Sequence, residues 1–162
     1  MMLFVCSSQG CISDEDPQGI ALTVGDSLPL FSVIASDGRI ISTQSLFGKK
    51  AMIVFFNTSC NDCRKELPVI QKVWEHYKEN PEIVIIAISR QENEESVAKY
   101  WSENNLSIPY SAQSDRDVYS LFAPSVIPRI FIADPTGKIT FASGDEDMPD
   151  FSTLINAIDS IN

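Results

Sequence analysis

Two cysteines separated by two residues, Cys60 and Cys63, end an apolar run and open a helix-forming pattern in Phe55-Phe56-Asn57-Thr58-Ser59-Cys60-Asn61-Asp62-Cys63-Arg64-Lys65-Glu66-Leu67-Pro68. If a helix starts at Cys60, its unpaired backbone N–H groups and the positive end of its dipole face that sulfur and favour the nucleophilic thiolate. Cys63, three residues on, lies on the same face and within reach of a short disulfide. Attack by Cys60 on a substrate disulfide would give a mixed disulfide that Cys63 resolves. The competing readings are a structural zinc pair and two unrelated buried cysteines. Zinc normally takes four ligands, and the remaining candidates, Cys6, Cys11 and His76, offer no second pair at ligand spacing.

Glu66 follows Cys63 by three residues and precedes Ile70 by four, which places it on the buried stripe of the expected helix. A carboxyl there is desolvated, its pKa rises, and it can exchange a proton with Cys63. The competing reading is a surface glutamate offset by Lys65 or Arg64. His76 lies 13 residues past Cys63, roughly 20 Å along a helix, too far to act as a base and expected at the surface.

The elements that must position this pair read as follows. Leu28 to Ile34 and Arg39 to Thr43, joined by Asp37-Gly38, predict a hairpin, and Gln44 to Phe47 a turn of helix closed by Gly48. Ala51 to Phe56 is a continuous apolar run, expected of a strand covered on both faces. It leads into a helix with Leu67, Ile70, Val73, Trp74 and Tyr77 at helical spacing, kinked at Pro68 and ended by Asn80-Pro81. Ile83 to Ile88 is a second buried strand, completing a βαβ unit. Beyond it come a helix over Glu92 to Glu103, a short strand over Ser107 to Tyr110, and a helix over Asp115 to Phe122 with Asp115 as its cap. Arg129 to Ala133, the turn Asp134-Pro135-Thr136-Gly137 and Lys138 to Ala142 predict a second hairpin. Pro149 to Ile161 predicts a closing helix with Phe151, Leu154, Ile155 and Ile158 inward.

The 162-residue chain suits one domain over 22–162 after a flexible leader over 1–21. A net charge of -10 argues against nucleic acid, whose phosphates would be repelled. The acidic runs Asp14 to Asp16, Glu92 to Glu95 and Asp145 to Asp147 read as solvated surface. No apolar run approaches the roughly 18 residues of a membrane span. The leader reads either as disordered or as the remnant of a signal or lipoprotein segment. Cys6 follows Val5 with Leu3 upstream, and Cys11 follows Gly10 with Ser8 upstream, so each meets half of an acylation pattern.

The order β-α-β, insert, β-hairpin, α, with Cys-x-x-Cys at the first strand-helix corner, resembles the thioredoxin fold. More narrowly, the chain resembles the TlpA/ResA-like thiol-disulfide oxidoreductases of the alkyl hydroperoxide reductase and thiol-specific antioxidant superfamily. The resemblance rests on the leading hairpin, on Cys60 to Pro68, and on Val126-Ile127-Pro128 before Arg129 to Gly137, and it covers about Gly25 to Ile161. It implies an α/β thioredoxin-like fold: a central mixed β-sheet flanked by helices, an N-terminal β-hairpin, and an insert between the βαβ and ββα halves. It further implies that Pro128 is a cis-proline facing the disulfide, leaving the Ile127 backbone free to pair with substrate beside Cys60. A glutamate at the place of Glu66 tunes the cysteines in that group.

Ser59 stands where the group usually has an aromatic residue, and Asn61 and Asp62 where a proline is common between the cysteines. These three residues are the expected substrate-contacting surface. Asp62 is expected to raise the pKa of the thiols, making the couple a reductant. The implied setting is the periplasm or cell envelope. The implied partners are protein disulfides or thiols and a membrane electron donor, with acylated Cys11 or Cys6 as an anchor, a monomeric chain, and no cofactor or metal besides the redox disulfide.

Two other functions stand beside this one. A peroxiredoxin wants Pro-x-x-x-Thr-x-x-Cys, but Ile53 and Asn57 occupy the Pro and Thr positions before Cys60. A non-enzymatic binding module on the same fold is the third.

Overall fold

Strand β3 (Lys50–Phe56) is the axis of the molecule: a computed structural model describes residues 19–162, and almost every residue of this strand is buried. Its alternate side chains sort the interior in two, as the two-residue period of a strand requires. Met52, Val54 and Phe56 join one apolar cluster; Ala51, Ile53 and Phe55 join the other.

Around it the elements run β1 (Ser32–Ile34), β2 (Ile40–Ser42), α1 (Thr43–Leu46), β3, α2 (Asn61–Tyr77), β4 (Ile83–Ser89), α3 (Glu94–Glu103), β5 (Tyr110–Ser111), α4 (Asp117–Ser120), β6 (Arg129–Ala133), β7 (Ile139–Ser143) and α5 (Phe151–Asp159). The central sheet has the order β5-β4-β3-β6-β7. β3 pairs in parallel with β4, and β4 with β5, whereas β6 and β7 enter antiparallel. The leading hairpin β1-β2 is a separate two-stranded sheet. This is the mixed, helix-flanked sheet of the thioredoxin-like fold, with α3, β5 and α4 as the insert.

Helices α2, α3 and α5 cover one face, contributing Leu67, Ile70, Val73, Val97, Trp101, Leu154 and Ile158 to the first cluster. The hairpin, α1 and α4 cover the other, where Phe31, Leu46, Tyr119 and Phe122 meet Phe55 and Phe131. Among the described residues no helix is long and apolar enough to cross a membrane.

Several expected boundaries move, each for a local reason. The strand expected at Ser107 to Tyr110 is Tyr110–Ser111 instead. The backbone of 107 and 108 is taken by side chains: Ser107 N and Ile108 N donate to Gln71 Oε1 at 2.8 and 3.2 Å, and Trp101 Nε1 donates to Ile108 O at 2.8 Å. Asp115 does not cap α4; the N-cap is Arg116, without a side-chain bond, while Asp115 Oδ1 accepts from Asp117 N at 3.0 Å. The strand expected from Leu28 begins only at Ser32, because Leu28 N is already bonded to Gly137 O at 2.8 Å. Phe151, expected inward, is 37% exposed because it opens the first turn of α5 behind the Asp150 cap. Ala21 packs at the edge of the second cluster, and Leu22 N bonds Phe122 O. The readings of Cys6, Cys11 and the acidic Asp14 to Asp16 lie outside the described residues.

Candidate active site

β3 delivers the chain to the corner, and the loop Asn57 to Ser59 turns it into α2. Cys60 is the N-cap of that helix, in extended conformation, and its Sγ accepts from Cys63 N at 3.2 Å. A sulfur therefore occupies the capping position where a serine or aspartate oxygen usually sits, satisfying an otherwise orphaned N–H. Both cysteines are free thiols, Cys60 half-buried and Cys63 fully enclosed. The spacing thus brings the two together as expected.

The opposite wall comes from the segment before β6. The Ile127-Pro128 peptide bond is cis, as the resemblance implied, and Ile127 O lies 3.7 Å from Cys60 Sγ, within reach of the thiol as its donor. Val126, one residue earlier, has φ +75°, a left-handed conformation that a β-branched residue adopts only when its surroundings demand it. Tyr119 contributes to that demand, its hydroxyl donating to Val126 O at 2.6 Å.

Burial pushes the Cys63 thiol up strongly, and the hydrogen bond and charge of Cys60 push the same way. A backbone hydrogen bond from Asn57 and the positive charge of Arg90 oppose the rise. Glu66 is 3% exposed, one turn along the helix, and its Oε1 has no hydrogen-bond partner. Desolvation raises its pKa to about 7.

Asp62 lies in the first turn of α2, and its carboxylate pairs with Lys65 Nζ at 2.8 Å in a solvent-facing bridge. An exposed aspartate with a cation at hand is screened, so burial governs the inner sulfur instead. Asn61 and Ser59 are exposed beside the cysteines. Ser59 is turned back on its own loop, donating through N and Oγ to Asn57 Oδ1 at 2.9 and 2.5 Å. His76 is exposed at the far end of α2, in an edge contact with Phe151.

Sequence reading missed the turn after β4. Asn57 Nδ2 donates to Arg90 O at 3.0 Å, and Thr58 N donates to Glu92 Oε2 at 2.8 Å. Thr58 Oγ1 also donates to Glu92 Oε1, and Arg64 Nε donates to Thr58 O. Glu92, read as part of a solvated acidic run, thus braces the loop that leads into Cys60. The signal that could have found it is positional: β3 and β4 are parallel neighbours, and sites collect where such strands end together. Among the described residues no group of three or more His, Cys, Asp or Glu is arranged to hold a metal ion.

Comparison with known proteins agrees with this geometry. The AhpC/TSA family model matches residues 24–142. A thiol-disulfide oxidoreductase ResA of Bacillus cereus is 26% identical over 145 residues, covering 86% of this chain and 81% of the relative. A solution structure from Bacteroides thetaiotaomicron, provisionally described as a protein disulfide isomerase, superposes with a TM-score of 0.80 at 28% identity, covering 86% of this chain and 90% of the other. The thioredoxin domain of a thiol-disulfide oxidoreductase from Bacteroides vulgatus gives 0.70 at 25% identity, covering 85% and 99%. With its sheet order, its leading hairpin and its Cys-x-x-Cys corner, the chain belongs to the AhpC/TSA family and, within it, to the TlpA/ResA-like thiol-disulfide oxidoreductases.

Proposed function

We propose that the chain reduces protein disulfides in the cell envelope through the dithiol Cys60–Cys63. The observation that carries this reading is the approach of Cys60 Sγ to Ile127 O, 3.7 Å, at the mouth of the cysteine corner. An extended substrate segment laid along Ile127 and Pro128 would bring its disulfide to the half-buried sulfur, with Ser59, Asn61 and Asp62 forming the rim.

Cys60 thiolate attacks one sulfur of the substrate disulfide; that bond breaks and the other sulfur leaves as a thiolate. Cys63 then gives up its proton and attacks Cys60 Sγ, the mixed disulfide breaks, and the second substrate sulfur leaves. Two electrons have passed to the substrate, and Cys60–Cys63 is oxidised. Glu66, with a pKa near neutrality and a free oxygen, is suited to take the Cys63 proton. The direction follows from burial: an enclosed sulfur that resists ionisation favours the thiol, and a destabilised thiolate makes a reducing couple. A membrane electron donor would restore the dithiol. An envelope location is supported by the likeness to ResA of Bacillus, and acylation of Cys11 or Cys6 would supply the anchor.

Insulin reduction with dithiothreitol as electron source tests the activity. Precipitation of the insulin B chain, lost in Cys60→Ala, is expected; no acceleration by the wild-type chain overturns the reading. Cys63→Ala expressed in the native envelope should accumulate mixed disulfides through Cys60, whose partners identify the substrates. Their absence there, with cytoplasmic fractionation of the protein, would overturn the location.

A further inference from the structure

The chain passes from β3 into α2 through a tight turn built on one side chain. Asn57 O accepts from Cys60 N at 3.1 Å, closing the turn Asn57 to Cys60. Asparagine suits the first position of such a turn because its side-chain oxygen reaches the N–H two residues on. Asn57 Oδ1 does so, accepting from Ser59 N at 2.9 Å and from Ser59 Oγ at 2.5 Å. The other end of the same amide points out of the turn: Nδ2 donates to Arg90 O at 3.0 Å, in the segment that leaves β4. Arg90 N returns a bond to Phe56 O at 2.8 Å. One side chain thus shapes the turn and fastens it to the neighbouring strand.

Thr58, the next residue, is held separately: its N donates to Glu92 Oε2 at 2.8 Å, and its O accepts from Arg64 Nε. Those bonds fix the middle of the turn, whereas the Asn57 amide fixes its first residue, the one whose backbone serves both cysteines. The Asn57 carbonyl holds Cys60 N, and a backbone hydrogen bond from Asn57 favours the ionised form of Cys63. On the far side of the turn Cys60 caps α2, its Sγ accepting from Cys63 N at 3.2 Å and lying 3.7 Å from Ile127 O. The place of that sulfur is therefore set from two ends, by α2 and by the turn. The helix is seated on the sheet by its apolar stripe, with Leu67, Ile70 and Val73 buried. The short turn has no such stripe and takes its rigidity from side-chain hydrogen bonds.

We propose that Asn57 is a positioning residue for the attacking sulfur: by tying the turn to Arg90 O it holds Cys60 Sγ in register with Ile127, where an extended substrate segment presents its disulfide. It acts through the backbone of the turn and touches no substrate. This role rests on the docking of substrate along Ile127 proposed above. The chemistry itself is unaltered: Cys60 thiolate bonds to one substrate sulfur, the other leaves with the electron pair, and Asn57 exchanges neither proton nor electron. Asn57 contributes orientation, so its effect grows with how much orientation the reaction demands. A polypeptide disulfide laid along Ile127 must meet the sulfur at one place and angle, whereas a small disulfide can approach the half-buried sulfur from several directions.

The test compares two substrates of the full-length chain carrying Cys6→Ser and Cys11→Ser. One is insulin below saturation, with dithiothreitol as electron source. The other is an aromatic disulfide that releases a coloured thiolate as Cys60 attacks it, followed by stopped flow. Asn57→Ala removes every side-chain bond of the turn's first residue. Asn57→Ser keeps the turn, since a hydroxyl also accepts from the N–H two residues on, but is too short to reach Arg90 O. Misplacing a reacting group by about 1 Å costs up to about a hundredfold in rate; both variants should therefore reduce insulin about tenfold more slowly, and react with the aromatic disulfide less than about twofold more slowly. A merely structural role would lower the urea midpoint without separating the two substrates. Wild-type insulin reduction by Asn57→Ser, with Asn57→Ala slow, would assign the effect to the turn alone and overturn the tie to Arg90. Equal loss on both substrates, or loss on neither, overturns positioning. If Asn57→Ala does not fold, Asn57→Ser decides by the same comparison of substrates; unfolding of both makes the role structural and ends the proposal. Should the chain with Asn57 intact react with the aromatic disulfide yet fail to reduce insulin, the docking along Ile127 is overturned, and this role with it.

Discussion

The two faces of the central sheet use the same strands for different ends. On the hairpin side the interior is closed by aromatic rings, with Phe122 lying 5.5 Å from Phe31, 4.9 Å from Phe55 and 5.3 Å from Phe131. A buried polar side chain there, Thr43, is fully matched: Oγ1 accepts from Phe31 N at 3.0 Å and donates to Pro29 O at 2.6 Å. On the α2 side the equally buried Glu66 leaves Oε1 without a partner, beside a fully enclosed thiol. One face satisfies the demand that burial makes on its polar group. The other keeps an unsatisfied acid and an unionised sulfur at the same level of burial, the condition that suits proton and thiol chemistry. The unmatched acid and the enclosed thiol thus share one side of β3.

That contrast can be broken in four places. The largest effect is expected from Cys60→Ser, which should reduce insulin reduction to the uncatalysed background while leaving the denaturant midpoint near that of the wild type. Next, Phe122→Ala on the aromatic face should cost about 3–5 kcal/mol, read as a lowered denaturant midpoint. Thiol release from the fraction that remains folded should keep its wild-type rate. If it slowed as well, the two faces would not be independent.

Glu66→Gln sharpens the comparison by pH. The folded state holds the Glu66 proton up to about 7, against an ordinary 4.5, so it binds more protons than the unfolded chain between these values. The associated stability is fully present below about pH 4.5 and is lost as pH rises through about 7. Gln cannot ionise, so the variant should lose roughly 1–3 kcal/mol of the drop between pH 4.5 and 8, measured by urea unfolding at both. An unchanged drop would mean that Glu66 is solvated. The smallest effect belongs to Asp62→Asn: with the carboxylate tied to Lys65 in solvent, resolution by Cys63 should change by less than about twofold. A larger change would restore Asp62 as a tuner of the pair.

Residues that speak through period and chain order were legible in advance. The apolar run of β3, the stripe of α2 and the turn Asp134 to Gly137 predicted the βαβ unit and the closing hairpin, and Arg129–Ala133 is the strand as expected. Glu66 was readable because its spacing from Ile70 places it on the buried stripe of any helix that starts at the cysteines. Elements whose backbone bonds go to distant side chains were not legible. Gln71, on α2, takes the N–H groups of Ser107 and Ile108, so the edge strand shifts to Tyr110. Phe151 reads as core by pattern, yet the first turn of its helix faces solvent.

The sequence by itself therefore determined the sheet, the helix that starts at the cysteines, and the presence of two thiols and an acid on one helical face, because each depends on neighbours within a turn or a strand. Tertiary structure alone decided what surrounds the sulfurs. It enclosed Cys63, brought Ile127 from 67 positions away to Cys60, screened Asp62 with Lys65, and set Glu92 and Arg90 against the corner. Charge and burial act through space, and a position's electrostatic surroundings are set by segments that the chain brings together only when it folds.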